Sequence, residues 1–115
     1  WSDDLEGNAR LRCITNYLTR MRLTTEANEL EFSFKDSLDD PMPEGFKPWF
    51  EFEFESEAAK THKVIFGHWA ALQGKSISEQ IQNVDGGCVW GHQLLAYRLE
   101  DQHMFAVDNP VSAYE

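Results

Sequence analysis

The apolar residues of this 115-residue chain fall in short runs that glycine, proline and acidic residues interrupt, and this spacing constrains the fold more than any other feature. Such runs are typical of strands, whereas a transmembrane helix needs about 20 consecutive apolar residues. The sequence therefore predicts a strand-rich α/β chain with one helix, with α+β as the alternative class, and no membrane span. The length is that of one ordinary domain.

The one helix is predicted over residues 8–22. Asp3 or Asn8 is expected to cap its start, because either side chain can accept a hydrogen bond from an unpaired backbone N–H. Four apolar side chains recur at spacings of three and four and so share one helical face. They are Leu11, Ile14, Leu18 and Met21.

The other apolar runs predict strands and hairpins. A hairpin-like pair is expected over 23–34, and an irregular connection over 35–48, where acidic residues and three prolines leave no periodic face. Segment 78–81 is ambiguous. Further strands are predicted at 50–54, where phenylalanine alternates with glutamate, at 63–66 as a buried strand, at 83–90 around a glycine pair, and as a closing hairpin of 94–99 and 104–107.

Charge is distributed unevenly along the chain. Its 20 acidic and 10 basic residues give a net charge of −10, which argues against a general binder of nucleic acid or of anionic membranes. Residues 10–22 nevertheless carry four arginines and no acid. Two interpretations stay open: the arginines are solvated on an ordinary amphipathic helix, or Arg10 or Arg12 contacts a phosphate near the helix N-terminus.

The cysteines and histidines give few chemical signals. Cys13 and Cys88 stand far apart in the sequence and are predicted to be reduced and buried. The four histidines match no zinc-finger or HExxH spacing, and His62 and His103 are predicted at the surface. His68 differs, because it follows the predicted buried strand, and strand ends are where α/β sheets gather functional groups. A structural role for His68 is equally open.

Several blocks of the sequence resemble a known family. They are Trp1 followed by GNARLRCITNYLTRMRL, KPWF at 47–50, FGHWAALQGK at 66–75, and NVDGGCVWG followed by LLAYRLED. In this order they are similar to the C-terminal part of the symmetrical bis(5′-nucleosyl)-tetraphosphatases, which belong to the calcineurin-like metallophosphoesterases. The resemblance covers almost the whole chain.

The resemblance implies a fold and an activity. The fold is a metallophosphatase β-sandwich with flanking helices, of which residues 1–115 would be the C-terminal portion, without the N-terminal metal-binding half. The family hydrolyses diadenosine tetraphosphate symmetrically to two ADP with two divalent ions, commonly manganese or cobalt. The family motifs GDxHG, GDxxxRG, GNHD and HAG are not found in this sequence.

The resemblance also implies site residues. His68, in the GH block, would be a metal ligand, and Arg10, Arg12 and Trp69 would contact substrate. Trp69 and Trp90 could each stack an adenine, with core packing as the other reading. No residue of this chain is assigned a catalytic role. One imidazole cannot hold two ions, so the metals are not expected to be fully bound by this chain alone.

Three functions therefore stand as expectations. The first is the C-terminal part of a hydrolase that is inactive by itself and cytoplasmic in a bacterium, with a dinucleoside polyphosphate as substrate and neither nucleic acid nor membrane as partner. The second is a stand-alone binding, regulatory or self-associating module derived from the enzyme. The third is a phosphoprotein phosphatase of the same superfamily.

Overall fold

A computed structural model describes residues 1–111, which fall into two compact units, Trp1–Glu53 and a second that begins at Phe54. Both units combine helices and strands, so the predicted mixed class is confirmed. The metallophosphatase sandwich stays a prediction. Among the described residues, no helix has the length and apolar character needed to cross a membrane.

Helix α1, Gly7–Arg20, opens the first unit and is shorter than predicted. Met21 is already extended, with ψ at 124°, so the expected end at residue 22 was wrong by two positions. The expected caps were also wrong, because Glu6 occupies the cap position and its side chain makes no capping hydrogen bond. Within the helix, the hydroxyls of Thr15 and Thr19 donate to backbone carbonyls one turn earlier.

The predicted apolar stripe of α1 is only partly buried. Ile14 and Met21 are half-buried, but Leu11 and Leu18 are 62% and 79% exposed. Tyr17 is also half-buried. The hydroxyl of Tyr17 donates to the carbonyl of Asn28, and burial raises the pKa of that hydroxyl above its ordinary value. A polar contact and a neighbouring turn thus orient α1.

A small antiparallel sheet forms the rest of the first unit. Strand β1, Leu23–Thr24, lies between β2, Leu30–Glu31, and β3, Lys47–Pro48. The predicted hairpin is confirmed, but its second strand ends at Glu31 and does not continue to residue 34. The irregular connection is confirmed apart from β3. Leu23 is fully buried at the centre of the sheet. Arg22, beside it, donates to the Phe34 carbonyl at 3.3 Å.

The strand predicted at 50–54 is wrong. Trp49–Glu51 is a short 3-10 helix, and no strand follows it before residue 57. Alternation of phenylalanine and glutamate fixes which side chains share a face, but a strand also needs a neighbour to pair with. The two aromatic rings of Trp49 and Phe50 meet edge to face instead, with centroids 5.5 Å apart.

The second unit begins with a helix that the sequence analysis missed, α2, Glu57–Thr61. Ser56 caps it by accepting a hydrogen bond from the Ala59 N–H at 3.1 Å. Lys60 pairs with Glu57 at 3.1 Å across one turn. The capping serine followed by glutamate and two alanines is a helix-start signal that the alternating phenylalanines obscured.

Two parallel strands form the centre of the second unit. Strand β4, Val64–Phe66, pairs with β5, Ile81–Asn83, in the register Val64 to Ile81. The predicted strand at 63–66 is confirmed in position, but it is only partly buried. All three residues of β5 are buried.

The strand predicted over 83–90 is wrong beyond its first residue. Strand β5 ends at Asn83, and Cys88–Trp90 is a 3-10 helix. Between them the chain turns, with the Gly87 N–H donating to the Asp85 carboxylate at 3.0 Å. Gly87 has a φ of +69°, which a side-chain-bearing residue rarely adopts, so this glycine allows the chain to turn before the 3-10 helix.

A hairpin closes the described chain, as predicted. Strands β6, Gln93–Arg98, and β7, His103–Asp108, pair along their whole length. Arg98 holds the turn through two hydrogen bonds of 2.6 and 2.7 Å to the Asp101 carboxylate. This contact lowers the pKa of Asp101 and raises that of Arg98.

Both cysteines are free, as predicted, and they are half-buried, so the prediction that they are buried is confirmed only in part.

Protonation of Glu31 is expected to destabilise the first unit. Its carboxylate accepts hydrogen bonds from the Ser33 hydroxyl and from the Phe34 and Ser33 N–H groups, which lower its pKa below the ordinary 4.5. A lowered folded-state pKa stabilises the fold above the unfolded-state pKa, and this contribution is lost as pH falls through the folded-state value. We expect Glu31→Gln to lower the thermal midpoint at neutral pH and to match the wild type at about pH 2.

Thermal unfolding followed by circular dichroism across that pH range measures this effect. Glu26→Gln, at an exposed carboxylate of the adjacent turn, is the control. A Glu31→Gln deficit that is as large at low pH as at neutral pH would contradict the assignment.

Candidate functional site

Strand β4 ends at Phe66, and His68 lies two residues beyond its carboxyl end. Its side chain is exposed, and its backbone has a φ of +59°. A non-glycine residue in this left-handed region is uncommon, and such strain collects at sites where function requires a particular side chain. The place of His68 after a strand was predictable from the sequence, whereas its left-handed backbone was not.

Trp69 lies next to His68, but its side chain is buried. It is 1% exposed, and it is followed by a 3-10 helix, Ala70–Leu72, whose last residue is also buried. The buried indole and Leu72 anchor the segment from which the exposed imidazole projects. Burial of the indole is what the core-packing reading expects, and nucleobase stacking by Trp69 stays a prediction.

Two buried amide side chains of β5 hold the loop that follows. Asn83 Oδ1 accepts hydrogen bonds from the N–H groups of Gly74, at 3.1 Å, and Asp85, at 3.0 Å. Gln82 Nε2 donates to the Gly74 carbonyl at 3.0 Å. Sequence reasoning missed both residues, although polar side chains in a buried strand are a signal for such roles.

One donor of this arrangement has no partner. Asn83 is fully buried, and its Nδ2 makes no hydrogen bond with any group in residues 1–111. An amide N–H donates and cannot ligate a cation, so this orphaned atom gives no support for a metal at that position. It fits an acceptor such as a water molecule or an anionic oxygen.

A polar cavity of about 310 Å³ opens beside this loop. Its walls come from the turn at Gln73, the glycine turns and the start of β6. The lining residues are Gln73, Gly86, Gly91, His92, Gln93 and Asp108. The imidazole of His92 and the carboxylate of Asp108 give the cavity hydrogen-bonding groups of both kinds.

The four arginines of the first unit have different surroundings. Arg10 lies over the Trp1 ring at 4.7 Å, and Arg20 lies over Phe32 at 4.5 Å. Arg22 is buried. Arg12 is exposed and makes no ion pair, hydrogen bond or aromatic contact with the described residues.

The predicted site residues therefore fall into two groups. His68 and Trp69 are adjacent in the second unit, whereas Arg10 and Arg12 lie on α1 in the first. His62 and His103 are exposed, as predicted.

The donor set of this chain does not fit a two-metal site by itself. Within residues 1–111, no group of three or more histidine, cysteine, aspartate or glutamate side chains is placed to hold a metal ion. Two divalent ions about 3.5–4 Å apart require several such ligands. One exposed imidazole, that of His68, leaves most of that coordination unfilled.

Comparison with curated proteins identifies the relatives of the chain. It is 47% identical over 106 residues to a protein of Marinomonas sp. (strain MWYL1) named bis(5′-nucleosyl)-tetraphosphatase, symmetrical. Proteins of the same name from Legionella pneumophila (strain Corby) and Edwardsiella ictaluri (strain 93-146) are 46% and 44% identical over 107 residues. The chain is related by sequence to the symmetrical bis(5′-nucleosyl)-tetraphosphatases. No protein-family model matches it.

The match covers a much larger fraction of this chain than of its relatives. It covers 92–93% of this chain but 38% of each of these three tetraphosphatases. The chain thus spans about two fifths of the length of its relatives, and the motif blocks assign it to their C-terminal part. The resemblance deduced from those blocks is confirmed.

The left-handed backbone at His68 leads to a stability prediction. His68→Gly and His68→Ala both remove the imidazole, but only glycine adopts a φ of +59° without steric cost. After allowing for the greater unfolded-state entropy of glycine, we expect the glycine variant to be more stable by about 0.5–1 kcal/mol.

Urea unfolding of the two variants gives the difference directly. The matched control is the pair His62→Gly and His62→Ala, because His62 has a φ of −88° and the order of stability should reverse there. An alanine variant at position 68 as stable as the glycine variant would show that the backbone is not held in this conformation.

Proposed function

We propose that this chain is the C-terminal part of a symmetrical bis(5′-nucleosyl)-tetraphosphatase, an enzyme that hydrolyses diadenosine tetraphosphate to two ADP. The observation that carries the proposal is 44–47% identity to proteins of that name over more than nine tenths of the chain. The described residues contribute some groups of the site, and the remaining groups lie outside them.

His68 is the residue proposed to act at the reacting phosphate, as one ligand of a divalent ion. Its exposed imidazole and strained backbone support this role. In this proposal His68 is one ligand among several, because one imidazole cannot hold two ions. Manganese or cobalt is the ion that the family resemblance suggests, and the choice between them stays a prediction.

Arg12 is better placed than Arg10 to bind a substrate phosphate. Phosphoryl transfer spreads negative charge over the equatorial oxygens, and a guanidinium can stabilise that charge through paired hydrogen bonds. Arg10 is stacked on Trp1, and its Nη1 also lies 3.5 Å from the Leu5 carbonyl. Arg12 has no competing contact among residues 1–111.

Trp69 and Trp90 differ in burial, and we propose a different role for each. Trp69 is buried, so its proposed contribution is to hold the segment that carries His68. Trp90 is 57% exposed in the Cys88–Trp90 helix and offers the better platform for a nucleobase.

A chimera tests the proposal. Replacing the matched stretch of the Marinomonas protein with this chain should give an enzyme that converts diadenosine tetraphosphate to ADP with Mn²⁺. The 115-residue chain alone should form no ADP above background, because the donors within residues 1–111 do not form a metal cluster. Chromatography of the nucleotide products measures both.

Three outcomes would contradict the proposal. They are an inactive chimera beside an active Marinomonas enzyme, ATP and AMP as the products, and ADP formed by the chain alone. Faster turnover of a phosphopeptide than of the dinucleotide would favour the phosphoprotein phosphatase alternative.

Arginine variants of the same chimera test the phosphate contact. Arg12→Ala should lower kcat/KM by about 10- to 100-fold, the usual loss for a hydrogen bond to a charged group. Arg12→Lys should recover part of this loss, since it keeps the charge without the paired geometry. Arg10→Ala is the matched control and should change kcat/KM by only about twofold. Equal losses in the two alanine variants would remove the distinction between the arginines.

A further inference from the structure

The polar cavity of the second unit carries hydrogen-bonding groups that its own fold does not use. Within residues 1–111, the side chains of Gln73 and His92 make no hydrogen bond. Asp108 uses one carboxylate oxygen, Oδ1, which accepts from Gln93 Nε2 at 2.8 Å. The other oxygen of Asp108 has no partner among the described residues. Donors and acceptors are therefore both available to a ligand.

Backbone hydrogen bonds fix the walls of this cavity. The His92 N–H donates to the Gly87 carbonyl at 3.2 Å, and the His92 carbonyl accepts from the Asn109 N–H at 2.8 Å. A Cβ on Gly87 would lie 3.2 Å from His92 Cδ2, so the imidazole packs closely on that glycine. Asn109 directly follows Asp108, so these bonds join the wall that carries the imidazole to the wall that carries the carboxylate.

The glycine turn also holds the start of β6. A Cβ on Gly86 would lie 2.3 Å from the Gln93 carbonyl oxygen, so this close approach requires glycine. The Gln93 N–H donates to the Gly86 carbonyl at 3.1 Å. Gln93 pairs with Asp108 across the ladder, and this register brings the amide to the carboxylate. The cavity is thus ordered before a ligand arrives, which reduces the entropic cost of binding.

The lining of the cavity restricts the chemistry of a ligand. Its volume of about 310 Å³ suits a small molecule or one part of a larger one. An apolar ligand would leave the polar groups without partners, and an anion would be repelled by the Asp108 carboxylate. Within residues 1–111, no group of three or more candidate ligands is placed to hold a metal ion. A neutral ligand with neighbouring hydroxyls meets all of these conditions.

We propose that this cavity binds the vicinal 2′- and 3′-hydroxyls of a ribose. Two such hydroxyls can both donate to one carboxylate, and an acidic side chain binds the ribose 2′-hydroxyl in this way in dinucleotide-binding folds. Asp108 accepts from the diol, and His92 or Gln73 donates to its oxygens. The source of the ribose rests on the proposed function, because diadenosine tetraphosphate carries this diol on each nucleoside. The cavity and His68 belong to the same unit.

Titration of the 115-residue chain with adenosine, followed by NMR of the backbone amides, tests this proposal. We expect saturable shifts at His92, Gln93 and Asp108. The analogues 2′-deoxyadenosine and 3′-deoxyadenosine should each bind at least about tenfold more weakly, since each lacks one hydrogen bond to a charged group. Inorganic phosphate should leave the same amides unshifted.

A pair of variants locates the diol contact. Asp108→Asn keeps the shape of the side chain, removes its charge and should weaken the Kd for adenosine by about tenfold. Glu100→Gln is the matched control, because it removes an exposed carboxylate from the turn at the other end of the same hairpin. Its Kd should stay within about twofold of the wild type, since salt screens a distant exposed charge. Amide spectra without ligand check that both variants keep the fold.

Four results would overturn the proposal. They are no saturable shift with adenosine, equal affinity for adenosine and both deoxy analogues, an unchanged Kd in Asp108→Asn, and shifts of the same amides with phosphate alone. Adenosine has no phosphate to hydrolyse, so its binding is measured independently of the proposed activity. An inactive chimera beside ribose-selective binding would therefore contradict the proposed function and leave the diol site standing.

Discussion

The buried side chain of Asn83 connects the parts of the second unit that matter for the candidate site. Its carboxamide oxygen accepts two backbone hydrogen bonds. One comes from the N–H of Gly74, at the end of the loop that follows His68, and the other from the N–H of Asp85, where the chain enters the glycine turn. Parallel pairing of β5 with β4 places this carboxamide at the same end of the sheet as His68. Removal of the carboxamide would leave the half-buried Asp85 N–H without this acceptor, whereas the Gly74 N–H also donates to the Asp85 carbonyl at 2.9 Å.

In the first unit, contacts near the protein surface orient the helix. Its helix α1 is oriented by the Tyr17 contact to Asn28 and by arginines stacked on aromatic rings, while Leu11 and Leu18 remain exposed. Long cationic side chains that cover aromatic surface give up little solvation, because their charged ends stay in water. Three of the four arginines thus have a local contact, since Arg22 donates to the Phe34 carbonyl. Within residues 1–111, Arg12 has no such contact.

Sequence reasoning located the elements whose signal is local. The closing hairpin, strand β4 and the body of α1 were found because apolar spacing and turn residues act over a few positions. It failed at 50–54 and 83–90, where the deciding factor was whether a neighbouring strand exists or whether two glycines turn the chain. The side of α1 that packs was also not predictable, since it depends on Tyr17 reaching a turn eleven residues away. For the candidate site, the position of His68 was accessible from the sequence, whereas the hydrogen bonds of Gln82 and Asn83 required coordinates.

The left-handed backbone of His68 allows two contributions of this position to be separated. Asparagine adopts such a conformation more readily than most side chains and carries no imidazole, whereas glutamine keeps a polar side chain without that local preference. A pair of variants at one position can therefore distinguish what the backbone conformation contributes from what the side-chain chemistry contributes.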